Sequence, residues 1–319
     1  MKLAFLGSGA FGIPTLLALA REHEITRVVT QPDRPAGRGG KLTPTPIGAW
    51  AAEHLPGVSV LKPERINAPE IVAVLRDHAT GAHAEPWVVI AFGQKLGRPL
   101  LADRFAINLH ASLLPRWRGA APINAAILAG DAVTGNSVIT LADRMDAGLV
   151  LGQSRRPVEP THTAGELHDL LAADGPDLVL RVLDEHVAGA TDALEQDESL
   201  VTLAPKLSRA DGWIDPAASA DEWRRRINGL SPWPGVQAAL DGVPLKLLRA
   251  DAMQPGRSLG APGTLIDGAR GVFACGSGGL QLLELQPAGK RAMAWADFAR
   301  GRPLTGGMVL EPVGGPGAC

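Results

Sequence analysis

The sequence predicts an α/β protein in which a mostly parallel sheet is followed by a small β-barrel. Three observations carry that class: a strand, glycine turn and helix at the start, alternating apolar strands and helical patterns through the first half, and a cluster of short strands near the end. Residues 3–7 form an apolar run that ends on Gly7-Ser8-Gly9-Ala10-Phe11-Gly12, a helical pattern covers residues 11–23, and a second apolar run covers 26–30. This is a βαβ opening. A leader peptide is not expected from the same letters, because Gly7, Gly9, Gly12 and Pro14 interrupt the apolar stretch such a peptide needs. Further strands fall at residues 87–92 and 105–109, with a helix over 68–78 between the second and third runs. Residues 138–141 and 149–151 flank a turn, and a helix over 164–189 carries Leu167, Leu170, Leu171, Leu178, Leu180, Val182 and Leu183. Ser219 and Glu222 form a capping box before a helix at 223–228. Residues 245–248, 263–266, 271–275 and 280–285 are the barrel strands, separated by Gly or Asp.

A chain of 319 residues exceeds one ordinary hydrophobic core. Residues 1–189 read as the α/β domain, 190–208 as a linker, 209–311 as the barrel domain and 312–319 as a disordered tail. The formal net charge is only −2, so no global basic field points to nucleic acid, although residues 209–319 hold 12 Lys and Arg against 10 Asp and Glu. No segment is apolar enough to span a bilayer, so no membrane partner is expected. The two cysteines, Cys275 and Cys319, offer neither a disulfide framework nor metal-ligand spacing, which fits a reducing cytoplasm and predicts no metal.

The chemistry concentrates in residues 106–123, Ala-Ile-Asn-Leu-His-Ala-Ser-Leu-Leu-Pro-Arg-Trp-Arg-Gly-Ala-Ala-Pro-Ile. Side chains two apart on a strand share a face, so Asn108 and His110 project together as an amide donor and a titratable ring. Pro115 and Gly119 then break the chain into a rigid loop, with Arg116 and Arg118 adding positive charge. Asp146 lies in a turn and serves equally well to shape it; spacing alone does not bring it to His110. Ser112 has no Gly-x-Ser-x-Gly elbow and reads as a loop hydrogen-bonding residue. The glycine run at 7–12 matches a dinucleotide fingerprint, but Asp33 lies past the second strand, and a tight turn with close helix packing accounts for it more simply. Residues 31–41, QPDRPAGRGGK, form a polar loop whose Arg34, Arg38 and Lys41 suit phosphate contact as well as ordinary solvation.

These motifs, together with Thr134-Gly135, Asp146-x-Gly148, Lys206-Leu207-Ser208, Ser231-Pro232-Trp233-Pro234 and Gln286-Pro287-Ala288-Gly289-Lys290, resemble the methionyl-tRNA formyltransferase family across both halves of the chain. The resemblance implies a Rossmann-like formyltransferase domain and a C-terminal OB-like barrel that binds tRNA. It implies transfer of the formyl group of 10-formyltetrahydrofolate to the α-amino group of methionyl initiator tRNA, by a cytoplasmic monomer. Carried over by motif, Asn108, His110 and Asp146 are catalytic. Phe92, Gly93, Ser112, Leu113, Leu114 and Pro115 line the folate site, and Arg34, Arg38 and Lys41 meet the tRNA. Ala147, Leu149, Asn136, Ser137, Phe92 and Asn124 depart from the residues usual at those positions. Two alternatives stand beside this reading: formyl transfer to a small amine, such as an amino-sugar nucleotide or glycinamide ribonucleotide, or a tRNA-binding homologue without activity.

Overall fold

The computed structural model describes residues 1–37, 39–76, 84–254 and 256–314. The chain divides into two compact units: residues 1–118, 135–156 and 168–203 form one, and residues 119–134, 157–167 and 204–319 the other.

In the first unit, seven strands form one sheet in the order Val150–Pro157, Val133–Thr140, Ala106–His110, Trp87–Ile90, Lys2–Gly7, Glu24–Val29, Ser59–Leu61. The five strands from Ala106–His110 to Ser59–Leu61 run parallel, and Val133–Thr140 pairs antiparallel with Ala106–His110. Parallel strands need both faces covered, which is why Leu3, Phe5, Val28, Trp87, Val88 and Ile107 are apolar and buried without alternation. The chain steps outward in both directions from Lys2–Gly7, so a crevice opens where the carboxyl ends of Lys2–Gly7 and Trp87–Ile90 lie side by side. This is the expected Rossmann-like arrangement.

The glycine turn after the first strand is a packing device. A Cβ at Gly7 would stand 2.6 Å from the Phe5 ring and 2.8 Å from the Ile90 carbonyl oxygen, and one at Gly12 3.1 Å from the Phe5 ring. Close approach of backbone to side chain therefore accounts for both residues. The helix Ala164–Val187 uses the same device, since a Cβ at Gly175 would come within 2.7 Å of Leu109. Leu109 thus faces that helix, and its neighbours Asn108 and His110 turn to the other side of the sheet.

The expected loop at 31–41 is partly ordered into a hairpin: Arg34–Ala36 pairs antiparallel with Lys41–Thr43. Gly37, Gly39 and Gly40 reverse the chain there with φ of 69°, 106° and 63°.

The second unit is built on an antiparallel sheet in the order Leu265–Asp267, Val272–Ala274, Gly279–Pro287, Val243–Met253, Val236–Leu240, Leu310–Pro312. It curls until its first and last strands meet: Thr264 bridges Val309, and the Leu265 amide donates to Met308 O at 2.7 Å. Closing the sheet removes its exposed edges and gives the barrel-like form expected. Pro312 belongs to the last strand and the Val313 amide donates to Gln237 O at 2.9 Å, so the sheet takes in the beginning of the segment expected to be a tail. Residues 315–319 lie outside the described residues.

Trp223, Ile227, Leu247, Phe273 and Leu282 fill the barrel core. The predicted capping box starts the helix Ala220–Gly229, with the Ser219 amide donating to Glu222 Oε2 at 2.9 Å and the Glu222 amide to Ser219 Oγ at 3.2 Å. Asn228, fully buried, donates to Ala250 O and accepts from Ala250 N, both at 2.9 Å, so its amide is satisfied. The thiol of Cys275 is pushed up to about 12 by burial, which makes it an inert core residue.

A second reciprocal cap, Thr163 with Glu166, begins the helix Ala164–Val187 and was not read from the sequence. Arg249 donates to both Glu166 oxygens at 2.7 and 2.6 Å, and this contact, helped by the Thr163 amide, draws the carboxyl from an ordinary 4.5 to about 2. A depressed carboxyl stabilises the fold above its ordinary value and stops doing so as pH falls through the folded one. Glu166→Gln is therefore expected to melt below the parent at neutral pH, with the gap closing between pH 4.5 and about 2. Because the Glu166 side chain is 43% exposed, thermal melts should also show the gap narrowing in high salt.

Candidate functional site

The site is built at the end of the strand Ala106–His110, which is paired on both edges. Val89 is the partner of Asn108 on one side, and on the other Ile139 partners Asn108 and Ser137 partners His110. Two-sided pairing fixes the register, so Asn108 and His110 are held on one face as the spacing predicts. His110 is 6% exposed, whereas Asn108 is half-buried; among the described residues no protein group hydrogen-bonds its carboxamide.

Both nitrogens of the His110 ring face protein partners. Nε2 donates to the Trp117 carbonyl at 2.9 Å, because a carbonyl can only accept. Nδ1 stands 3.6 Å from Asp146 Oδ2, an electrostatic contact too long for a hydrogen bond. The carboxylate of Asp146 is largely buried, with a side chain 13% exposed. With Nε2 given to the Trp117 carbonyl, Nδ1 is the ring nitrogen that faces the carboxylate.

Unusual backbone gathers here. Ala91, Trp117 and Asp146 have φ of 47°, 65° and 54°. Asp tolerates the left-handed region better than Ala or Trp does, and three such residues at one place are what a pre-shaped site requires. Residues 111–117 are held from within: Ser112 Oγ donates to Arg116 O at 2.6 Å, and Ser137 Oγ donates to Ser112 O at 2.6 Å while accepting from the Leu114 amide at 3.0 Å. Gln153 Nε2 donates to Leu114 O at 3.0 Å and to Ser137 Oγ at 2.8 Å. Ser112 is fully buried and Leu114 nearly so, hence Ser112 shapes this turn.

Phe92 and Gly93 follow the strand Trp87–Ile90 into the crevice. Phe92 is 2% exposed, and its carbonyl accepts from Ser8 Oγ at 3.0 Å and Gln31 Nε2 at 3.1 Å. Gly93 has a φ of 86°, a conformation that favours glycine. On the hairpin, Arg34 pairs with Glu64 at 2.6 Å, Asp33 with Lys62 at 2.7 Å, and Lys41 is exposed opposite Ala36. Arg38 lies outside the described residues.

Sequence reasoning missed the residues that hold the site. Ser137, Gln153, Gln196, Glu198 and Thr202 each bond to a site segment, Thr202 by accepting from the Trp117 amide at 2.9 Å. For Ser137, Gln153 and Thr202 the only sequence signal is a polar side chain in or beside an apolar run; Gln196 and Glu198, in a polar stretch, carry none. No three His, Cys, Asp or Glu side chains gather as a metal site among the described residues, and none of their helices is long and apolar enough to cross a membrane.

Comparison with known proteins places this geometry in context. Residues 1–183 match the family model described as formyl transferase, and residues 206–303 match that of the formyl transferase C-terminal domain. The chain is 43% identical over 313 residues to the methionyl-tRNA formyltransferase of Acidiphilium cryptum, covering 97% of this chain and all of that one. Its fold is similar to that of WlaRD, a sugar 3N-formyl transferase solved in the presence of dTDP and 5-N-formyl-THF, with a TM-score of 0.67, 12% identity, and coverage of 91% and 99%. It is also similar to HypX from Aquifex aeolicus in complex with tetrahydrofolic acid, with a TM-score of 0.61 and 15% identity; 94% of this chain corresponds to 47% of that longer protein.

One backbone contact at the site is open to direct test. A Cβ on Gly148 would overlap the Thr140 carbonyl, where the Thr140 amide donates to Leu149 O at 2.9 Å. Gly148→Ala should open this pairing, raising hydrogen exchange at the Thr140 and Leu149 amides and lowering stability by about 1–3 kcal/mol.

Proposed function

The chain belongs to the formyl transferase family, and on that premise we propose that it formylates the α-amino group of methionyl initiator tRNA, using 10-formyltetrahydrofolate as donor. One observation carries the chemistry: Asn108 and His110 share a rigid strand face, with the Asp146 carboxylate 3.6 Å from the ring. The methionine amine attacks the formyl carbon, the bond from that carbon to N10 of the folate breaks, and N10 takes up a proton as the amine gives one up. Asn108 donates its carboxamide N–H to the formyl oxygen as negative charge builds there. The His110 ring, held by Trp117 and Asp146, supplies positive charge beside it in place of the direct hydrogen bond its residue type suggests. Asp146, facing the ring, takes the amine proton, directly or through water, and passes it on to N10 as that nitrogen leaves.

The crevice suits a folate co-substrate. Leu113 and Pro115 offer partly exposed apolar surface, Phe92 and Leu114 back it from the packed core, and Gly93 leaves main chain accessible. Ser112 contributes by fixing the turn that carries Leu113 to Pro115. Arg34, Arg38 and Lys41 on the hairpin segment, with the barrel domain, give the enzyme its hold on tRNA phosphates. Residues 1–189 act as the catalytic domain and 209–311 as the tRNA-binding domain, in a cytoplasmic monomer; of the segment 190–208 expected to be a linker, the part up to residue 203 packs within the first unit. The tRNA-directed relative is 43% identical over 97% of this chain, whereas the sugar formyl transferase of similar fold is 12% identical, which favours the tRNA-directed reading.

Incubation with formyl donor and charged initiator tRNA should yield formyl-methionyl-tRNA; transfer only to amino-sugar nucleotides, or tRNA binding with no transfer, overturns the reading. In that assay Asn108→Ala should lower kcat about 10²–10³-fold with little change in KM. Loss of the ring in His110→Ala should cost about 10²–10⁴-fold. For the basic segment, Arg34→Ala, Arg38→Ala and Lys41→Ala should each weaken tRNA binding and lower the salt slope by about 1, read from binding titrations at several ionic strengths.

A further inference from the structure

The segment just after Leu194 forms a clamp on the loop that carries Asp146. Val150 and Leu194 exchange both backbone hydrogen bonds, at 2.8 and 2.9 Å, which brings residues 194–198 alongside residues 141–149. Gln196 then reaches across. Its Nε2 donates to the carbonyls of Asp146 and Gly148, both at 2.8 Å, while its Oε1 accepts from Arg118 Nε at 2.9 Å. Arg118 is 4% exposed and its Nη2 donates to Glu198 Oε1 at 2.9 Å; the other oxygen of Glu198 accepts from Arg144, in the Asp146 loop, at 2.9 Å.

We propose that Gln196, oriented by Arg118, is the positioning residue that holds Asp146 against the His110 ring. The inference rests on Asp146 acting in catalysis as set out above. Its physical basis is the left-handed backbone of Asp146, at φ 54°, which costs free energy for a residue with a Cβ and persists only where neighbours hold it. The carbonyls of Asp146 and Gly148 belong to the first and third of the peptide units that follow the carboxylate. Tying both to one amide group fixes the direction in which that carboxylate leaves the chain. Arg118 in turn selects which end of the amide faces the loop, because guanidinium N–H groups only donate and so claim the oxygen. The buried cation thereby acts on the site through Gln196 while reading Arg144 in the same loop through Glu198.

Gln196→Glu keeps the size and the Arg118 contact but places an acceptor against two carbonyls. Gln196→Met keeps the length and removes every hydrogen bond. The proposal expects both to lower kcat about 10- to 100-fold, the scale of a misplacement near 1 Å, with KM for tRNA and for the formyl donor nearly unchanged. In an Asp146→Asn background the same changes should cost less than about twofold further, because residues acting as one unit are not additive. A merely structural role would instead multiply the two losses or raise KM. Full kcat in both Gln196 variants, multiplied losses in the double variants, or an effect confined to KM overturns the positioning role and leaves Asp146 catalytic. An Asp146→Asn enzyme with parental kcat overturns the catalytic reading of Asp146, and the clamp with it. If Gln196→Glu does not fold, Gln196→Met carries the comparison alone.

Discussion

A strand hydrogen-bonded on both edges cannot turn its side chains out of register, and the site depends on that rigidity in Ala106–His110. Trp87–Ile90 holds one edge in parallel and Val133–Thr140 the other in antiparallel. Leu109 is anchored beneath the helix Ala164–Val187, which comes close because Gly175 has no Cβ. With the middle residue pinned on one face, Asn108 and His110 have only the other face available. A carboxamide and an imidazole set on a sheet keep their geometry better than the same groups on a loop, and reaction geometry tolerates errors of only about 0.5 Å.

Around this strand the protein meets the cost of buried polar groups by using them as braces. Ser112, Ser137 and Gln153 satisfy one another and the backbone of residues 112–116, so a turn with little regular structure is still well determined. Arg118 buries a full positive charge, which is tolerable only with Gln196 and Glu198 on its donors. Asn136 makes a comparable contact, donating to Leu171 O at 2.8 Å from a fully buried position. These polar groups tie the strands of the first unit to segments distant in sequence, and two of the positions that depart from the family's usual residues belong to the same arrangement: Ser137 both donates and accepts, whereas Asn136 donates to Leu171 O but its buried Oδ1 meets no partner among the described residues.

The second unit solves a different problem. A single antiparallel sheet of this length would expose two edges, and joining Thr264 to Val309 removes them. Its buried polar residues, Asn228 and the Arg249 contact to Glu166 and Glu284, lie where the sheet meets residues 160–166 of the same unit. An acidic partner on each side lets Arg249 remain charged at a half-buried position, and the capped ends of its helices leave few unsatisfied amides.

The linear order of residues determined whatever has a short period. It settled the strands near residues 3–7, 87–92 and 105–109, the shared face of Asn108 and His110, and the Ser219 cap, because each depends on neighbours two to four positions away; the strands Ser59–Leu61 and Val236–Leu240 were not legible, and the close packing of Gly7 and Gly12 also involves Ile90, far along the chain. The hairpin at Arg34–Ala36 and Lys41–Thr43 was less legible, since its short polar strands carry no apolar alternation and only the glycine turn pairs them. Asp146 could be named by motif, but its approach to the ring could not, and Gln196 gave no sign at all. Tertiary structure alone decided those, for the physical reason that a hydrogen bond between distant segments leaves no periodic trace. It exists only after the Val150 and Leu194 pairing has brought the two loops together.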